Sequence, residues 1–225
     1  YKDRINSVIE LTALKLMCSI PHGLVKLTLI DKTGSGQNLK RLSSLHEKFL
    51  DGKILSEDNE IELELESIKS SMGVITQSIS SNGFESIEDY NINTDESPQQ
   101  YKIICVSNFP NGFSKKASEN LLALMESGPK AGIYVFLTIN FNPNFGLNQN
   151  INGLTLADFI KHISLLDLSE RPSDYISNKL ISEAVELFRI PLINEKEYKH
   201  LVNNVFAIKL DDEKKEETEE IINYL

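Results

Sequence analysis

The chain is poor in the residues that build metal sites and disulfide frameworks. It has two cysteines, Cys18 and Cys105, and both lie within apolar runs. Free cysteine is among the most often buried residue types, so we expect both to be buried, reduced thiols. The histidines are scattered and do not suggest a metal site, and none is predicted. They are His22, His46, His162 and His200.

Positive charge is scarce as well. The 225 residues include 23 of lysine or arginine against 33 of aspartate or glutamate, a net charge of −10. Binding to nucleic acid depends on neutralising phosphates, so this balance excludes a surface that binds nucleic acid over its whole extent. A local basic groove is still compatible with the sequence.

Long apolar runs are missing too. No run is long enough to cross a membrane, and the N-terminal segment lacks the basic and apolar regions of a signal peptide. We therefore expect no membrane segment in this chain and a cytoplasmic location.

What the chain does have is three short apolar runs, at residues 24–30, 101–106 and 133–139, separated by helical patterns. These runs do not alternate polar with apolar residues, which is typical of parallel strands covered on both faces. The sequence therefore predicts an α/β fold with a mostly parallel sheet and helices on both faces. Ligands of such sheets bind beyond the carboxyl ends of the strands. Those ends hold Asp31, Ser107, Asn108 and Asn140.

A glycine-rich turn at residues 32–37 follows the first strand and leads into a helical pattern at 38–42. A P-loop requires Gly-Lys-Ser/Thr after its glycines, whereas Gly36 is followed by Gln37 and Asn38. We interpret this segment as an ordinary loop. Asp31 is then either a cap of this turn or a ligand-binding group in a polar crevice.

The composition changes after Asn140, and we place a boundary there, between residues 1–140 and 141–225. An asparagine-rich stretch is followed by helical patterns at 154–168, 175–188 and 195–203, and by a last strand at 205–210. The chain ends in a mainly acidic tail, a composition that usually stays solvated. The second part is predicted to be a helical extension.

The order and spacing of these elements resemble the motor domain of the FtsK/SpoIIIE family of P-loop DNA translocases over residues 5–140. The strand ending in Asp31 is similar to a family strand that ends in Asp. Residues 83–91 resemble the family segment Gly…Ile-Glu-Glu-Tyr-Asn, and 101–106 resemble its Walker B strand. Residues 131–140 resemble its strand Ala-Gly-Ile-His-Leu…Ala-Thr-Gln. Related secretion ATPases fit equally well.

The resemblance implies a RecA-like three-layer sandwich whose first strand would precede Tyr1. It puts the 101–106 strand at the centre, with a gap beside it where that first strand belongs. The Walker B Asp-Glu is replaced by Ser107 and Asn108, and the Walker A position falls at Arg4, Ile5 and Asn6. Asn140 takes the place of the sensor Gln. The groups that hold magnesium and polarise the attacking water are thus missing, and they supply most of what a protein contributes to phosphoryl transfer.

Three hypotheses follow. The first is a degenerate, catalytically silent motor domain that serves a DNA-translocation or secretion machine as a structural, regulatory or partner-docking part. The second is an active ATP-dependent translocase whose Walker A lies upstream of Tyr1. The third is an α/β binding module with no nucleotide ancestry, whose crevice at Asn108 and Asn140 binds a peptide or a small polar ligand.

For the first hypothesis no catalytic residue and no cofactor are expected, since ATP and Mg²⁺ would require an upstream Walker A. Residues 141–225 would contact a protein partner or a neighbouring motor domain, with apolar side chains near Leu165, Leu166, Leu187 and Phe188. DNA would be reached through a parent assembly, although Lys115 and Lys116 could touch phosphates.

Overall fold

The computed structural model describes residues 2–20, 23–45, 47–139 and 146–162. Its centre is a parallel sheet of three strands, in the order β1–β2–β3. They are β1 (Val25–Ile30), β2 (Tyr101–Phe109) and β3 (Ile133–Ile139). The predicted α/β fold and the parallel arrangement of these three runs are confirmed.

The middle strand has a neighbour on each side. Ile103 of β2 is level with Leu27 of β1 and with Tyr134 of β3. The prediction of a gap beside this strand is therefore wrong, because β1 and β3 both pair with it directly. Any further strand of the sheet would have to lie outside β1 or β3.

Five α-helices accompany the sheet within the described residues. They are α1 (Lys2–Ser19), α2 (Asp58–Ser81), α3 (Ile87–Asn93), α4 (Lys115–Ser127) and α5 (Leu156–Ile160). Short 3₁₀ turns lie at Leu42–Ser44, Glu47–Phe49, Gly128–Ala131 and Gly146–Asn148. A small antiparallel pair, β4 (Asn150–Ile151) and β5 (Leu154–Thr155), precedes α5.

The apolar side chains form one core on each face of the sheet, as expected for covered parallel strands. Helices α2, α4 and α5 share one cluster with β2 and β3, where Leu65, Leu121 and Phe159 are fully buried. Helix α1 packs on the other face, where Leu14 meets Leu27 and their neighbours. Among the described helices, none is long and apolar enough to cross a membrane.

Several expectations from the sequence need correction. The helical pattern at 38–42 forms turns and then a 3₁₀ segment, because the backbone there is held by Asp31. The helix expected at 154–168 begins at Leu156, after β5, and its α-helical part ends at Ile160. Residues 163–168 and the later elements lie outside the described residues.

The two cysteines differ in environment. Cys105 lies on β2 and is buried, as expected, whereas Cys18 is exposed and that prediction is wrong. Met17 faces the core, and Cys18, one residue further on, is turned about 100° around the helix axis and away from the sheet.

Candidate functional site

A polar cluster, which we call the crevice, lies at the carboxyl ends of β1 and β2 and is centred on Asp31, whose side chain is fully buried. Its carboxylate accepts hydrogen bonds from the backbone N–H of Gly34 at 3.0 Å and of Asn38 at 2.9 Å. The side-chain amide of Asn38 donates a third at 2.8 Å, and the hydroxyl of Ser107 donates a fourth. Asp31 thus caps the turn after β1, which is one of the two roles predicted for it.

The turn wraps too closely around Asp31 to admit a side chain at Gly34. A Cβ built there would lie 2.0 Å from the side-chain nitrogen of Asn38 and about 2.5 Å from a carboxylate oxygen of Asp31. These distances are far below van der Waals contact, and neither group can move without losing its hydrogen bonds. The glycine-rich turn therefore serves close packing around a carboxylate of the chain itself.

Ser107, which the resemblance puts at the position of the Walker B aspartate, lies beside Asp31. It is fully buried, and besides donating to Asp31 its hydroxyl lies 3.4 Å from the amide nitrogen of Asn38, which donates to it. A carboxylate at this position would contact the buried carboxylate of Asp31, and two such like charges repel strongly. The neutral hydroxyl of Ser107 donates a hydrogen bond to Asp31, whereas an aspartate at this position would repel it.

Asn108, which the resemblance puts at the position of the Walker B glutamate, links β2 to β3 and to the turn after β1. Its backbone is left-handed, with φ of 55°, a conformation that asparagine tolerates better than most residues. Its backbone N–H donates to the hydroxyl of Thr138 on β3 at 2.7 Å, and its side-chain amide donates to the hydroxyl of Thr33 at 3.0 Å. The β2–β3 register shifts between Val106 and Phe109, around this residue.

The remaining predicted positions are not brought into this cluster by any described contact. Arg4, Ile5 and Asn6 lie in the first turns of α1, and their side chains are outside what the structure describes. Asn140 follows β3 and also lies outside the described residues. The described crevice therefore consists of Asp31, Ser107 and Asn108 with their partners.

The acid–base and metal chemistry of the described residues is limited. No group of three or more histidine, cysteine, aspartate or glutamate residues among them could hold a metal ion. Burial raises the pKa of the Cys105 thiol to about 12, and the nearby carboxylate of Glu10 adds to the shift. Because the thiolate is the nucleophilic form, Cys105 is inert at neutral pH.

A second polar cluster joins α2 to the start of α4. The hydroxyl of Ser114 caps α4 by accepting from the N–H of Ala117 at 3.1 Å, and it donates to Glu62 at 2.5 Å. Lys116 pairs with Glu66 at 2.5 Å, and Lys115 lies 3.8 Å from Glu119. Both lysines thus have acidic partners within the chain.

Sequence reasoning missed three members of the crevice: Thr33, Asn38 and Thr138. Asn38 is 69 residues from Ser107, and no local pattern indicates that the two side chains meet. An asparagine just after a glycine-rich turn is a recurrent turn former, which was the available signal. Thr138 is one of the few polar residues in an apolar strand, and its hydroxyl accepts a hydrogen bond from the backbone N–H of Asn108.

Comparison with known proteins gives structural neighbours but no sequence relatives. No protein-family model matches the chain, and no curated protein matches it. The cytoplasmic domain of the type VII secretion ATPase EccC from Thermomonospora curvata aligns with a TM-score of 0.50 and 13% identity. That alignment covers 72% of this chain and 19% of the EccC chain.

Two further solved structures align less closely. EssC (ATPases 2 and 3) from Geobacillus thermodenitrificans has a TM-score of 0.48 at 19% identity, covering 59% of this chain and 26% of that chain. The pCW3 conjugation coupling protein TcpA, in a monomer form with ATPγS, has a TM-score of 0.48 at 11% identity, with coverages of 61% and 38%.

The class that these observations define is an α/β domain with a parallel sheet, of the fold found in part of EccC. At 13% identity the likeness concerns the fold alone. The chain spans about a fifth of the EccC chain's length.

Proposed function

We propose that this chain is a catalytically silent, FtsK/SpoIIIE-like ATPase domain that serves a DNA-translocation or secretion machine as a structural, regulatory or partner-docking part. One observation carries the proposal. At the end of the strand where a motor needs two carboxylates, Ser107 and Asn108 stand instead, and both make hydrogen bonds to neighbouring parts of the chain.

The residues present do not fit a magnesium–nucleotide complex. The carboxylate in the crevice, that of Asp31, is fully buried and already accepts four hydrogen bonds. A metal would have to displace several of these donors, and the buried amides left behind would be unsatisfied. No step of ATP hydrolysis is therefore assigned to this chain.

The same geometry does not favour a polar ligand in the crevice. Ser107 has no exposed surface, and Asn38 is 8% exposed. A ligand would have to compete with hydrogen bonds that the chain has already formed. We therefore prefer the silent domain to the non-nucleotide binding module.

Calorimetric titration of the chain with a non-hydrolysable ATP analogue and Mg²⁺ tests the proposal. We expect no binding heat, both for the unaltered chain and for the double variant Ser107→Asp, Asn108→Glu, because a carboxylate at position 107 would lie against that of Asp31 and no Gly-Lys-Ser/Thr is present. A micromolar dissociation constant, equivalent to about −8 kcal/mol, would show that a nucleotide site exists and would contradict the proposal.

We assign the contact with a protein partner, or with a neighbouring motor domain, to residues 141–225, and we place the domain in the cytoplasm. The support is chemical: residues 211–220 contain seven acids and two lysines, a charge that repels DNA phosphates. Leu165, Leu166, Leu187 and Phe188 lie outside the described residues. Pull-down of the parent complex with and without this region checks the assignment. Intact assembly combined with loss of salt-sensitive DNA binding would reverse it.

A further inference from the structure

Three asparagines of this chain are followed directly by glycine: Asn82, Asn111 and Asn152. Asparagine is a chemically labile residue. It is most labile before glycine, because glycine has no side chain to hinder attack by its own backbone nitrogen. All three asparagines are exposed, and so are the glycines that follow them. Neither the sequence pattern nor exposure to water therefore distinguishes the three sites.

The reaction that such a pair undergoes is a ring closure within the chain. The backbone nitrogen of the glycine loses its proton and attacks Cγ of the asparagine. A C–N bond forms, the bond from Cγ to Nδ2 breaks, and ammonia leaves. Water then opens the resulting succinimide. Opening at Cγ gives aspartate, and opening at the main-chain carbonyl gives isoaspartate, in which the backbone runs through the former side chain.

Hydrogen bonds restrain both reacting groups at Asn82, which follows the last residue of α2. The backbone N–H of Gly83 donates to the carbonyl of Ser80 at 3.1 Å. The side-chain amide of Asn82 donates to the carbonyl of Ser78 at 3.0 Å. Ring closure here has to break both of these hydrogen bonds.

The site at Asn152, in the β4–β5 turn, is restrained more strongly. The backbone N–H of Gly153 donates to the side-chain oxygen of Asn150 at 3.2 Å. The side-chain amide of Asn152 donates to the carbonyl of Phe113 at 2.6 Å and to the hydroxyl of Ser118 at 3.1 Å. Ring closure here breaks hydrogen bonds to three different residues.

At Asn111, in the loop between β2 and α4, neither reacting group is held within the described part of the chain. Asn111 and Gly112 are the central residues of a turn that is closed by the N–H of Phe113, which donates to the carbonyl of Pro110 at 3.1 Å. No described group accepts from the N–H of Gly112 or bonds to the side-chain amide of Asn111. Gly112 has a φ of 76°, a conformation that favours glycine. The peptide between Asn111 and Gly112 can therefore rotate while the turn stays closed.

We propose that Asn111 is a site of spontaneous modification, at which the folded chain forms a succinimide and then aspartate or isoaspartate. Asn82 and Asn152 must each give up several hydrogen bonds before their rings can close, whereas Asn111 gives up none of those described. Each such bond adds to the barrier, so Asn111 reacts faster than the other two by roughly tenfold.

The modification changes the link between β2 and α4. Isoaspartate adds one atom to the backbone of a short turn, and both products replace a neutral amide by a carboxylate. The turn is fixed by the N–H of Asn111, which donates to the carbonyl of Asn108 at 3.0 Å, and by that of Phe113. Phe113 is buried, with its ring 5.2 Å from that of Phe109. A longer turn therefore disturbs a side chain of the core.

Peptide mass spectrometry of the full chain, incubated folded and in urea at mildly alkaline pH, tests the proposal. The conversion of amide to acid is measured separately at Asn82, Asn111 and Asn152. We expect Asn111 to react roughly tenfold faster than either of the others in the folded chain. In urea the three rates should converge, because each asparagine then precedes an unrestrained glycine.

Two variants assign the product. A protein-isoaspartate methyltransferase, supplied with labelled S-adenosylmethionine, marks isoaspartate. Asn111→Gln should remove most of the label that the folded chain acquires, and Asn82→Gln should leave it unchanged. Similar rates at the three asparagines in the folded chain would overturn the proposal. A faster reaction of Asn111 that persists in urea would overturn it too, because neighbours in sequence would then set the rate.

Discussion

At the scale of single residues, the central feature of the crevice is the buried carboxylate of Asp31 and the hydrogen bonds that it accepts. The apolar runs alone predict that Asp31 follows one strand and that Ser107 and Asn108 follow another. The structure puts Asp31 directly after β1 and includes Ser107 and Asn108 in the last residues of β2. Their mutual hydrogen bonds could not be predicted, because Asn38 and Ser107 meet only when β1 and β2 pair. The polar groups of the crevice form hydrogen bonds with one another. These hydrogen bonds stabilise the folded structure.

Ser107→Ala tests this role. The variant removes one of the four donors to Asp31 and leaves a fully buried carboxylate partly unsatisfied, so we expect a loss of about 1–3 kcal/mol in the free energy of unfolding. Ser43→Ala is the matched control, because the exposed hydroxyl of Ser43 donates to the carbonyl of Lys40 at 2.7 Å. Urea unfolding of both variants measures the difference. Equal, small effects would mean that Ser107 does not stabilise Asp31.

At the scale of elements, the three strands were predictable and their exact ends were not. Residues 24–30 and 133–139 differ from β1 and β3 by at most one residue. Strand β2 continues to Phe109, although Ser107, Asn108 and Pro110 are typical turn residues. Pairing resumes after the register shift because Phe109 is buried in the core and is level with Ile139. Tertiary packing thus extends a strand that local preference would end.

Substitution of two glycines by alanine distinguishes the effect of close tertiary packing from the effect of local helix preference. Gly34→Ala pushes a methyl group into Asn38 and Asp31, and we expect it to lower the free energy of unfolding by about 1–3 kcal/mol. Gly73→Ala lies within α2, where an added Cβ meets no atom within 4 Å. Alanine favours the helix over glycine, so this variant should gain about 0.5–1 kcal/mol. Denaturant unfolding gives both values, and effects of the same sign would contradict the geometry around Gly34.

At the scale of the whole molecule, the described residues after 145 share the core of the sheet. Ile151 and Phe159 are buried in the cluster that contains α2 and α4, and the ring of Phe159 lies 4.9 Å from that of Phe109. Asn152 donates to the carbonyl of Phe113 at 2.6 Å and so fastens the β4–β5 turn beside the start of α4. The boundary at 140/141 came from composition, which cannot reveal such packing. As a division of the whole chain it stays a prediction.

If this packing is part of one cooperative fold, deleting the ring of Phe159 should destabilise the strands as well as α5. Phe159→Ala leaves a cavity beside Phe109 in the middle of the core, and we expect a loss of about 3–5 kcal/mol. Leu63→Ala on α2 is the control: its side chain is 68% exposed, and exposed substitutions usually change stability by no more than about 0.5 kcal/mol. Amide exchange of β2 under mildly denaturing conditions reads out the effect at the sheet. If Phe159→Ala speeds exchange only within residues 146–162, that segment unfolds independently of the sheet and the single fold is refuted. If the amides of Ile104 and Val106 accelerate with it, the described residues unfold together.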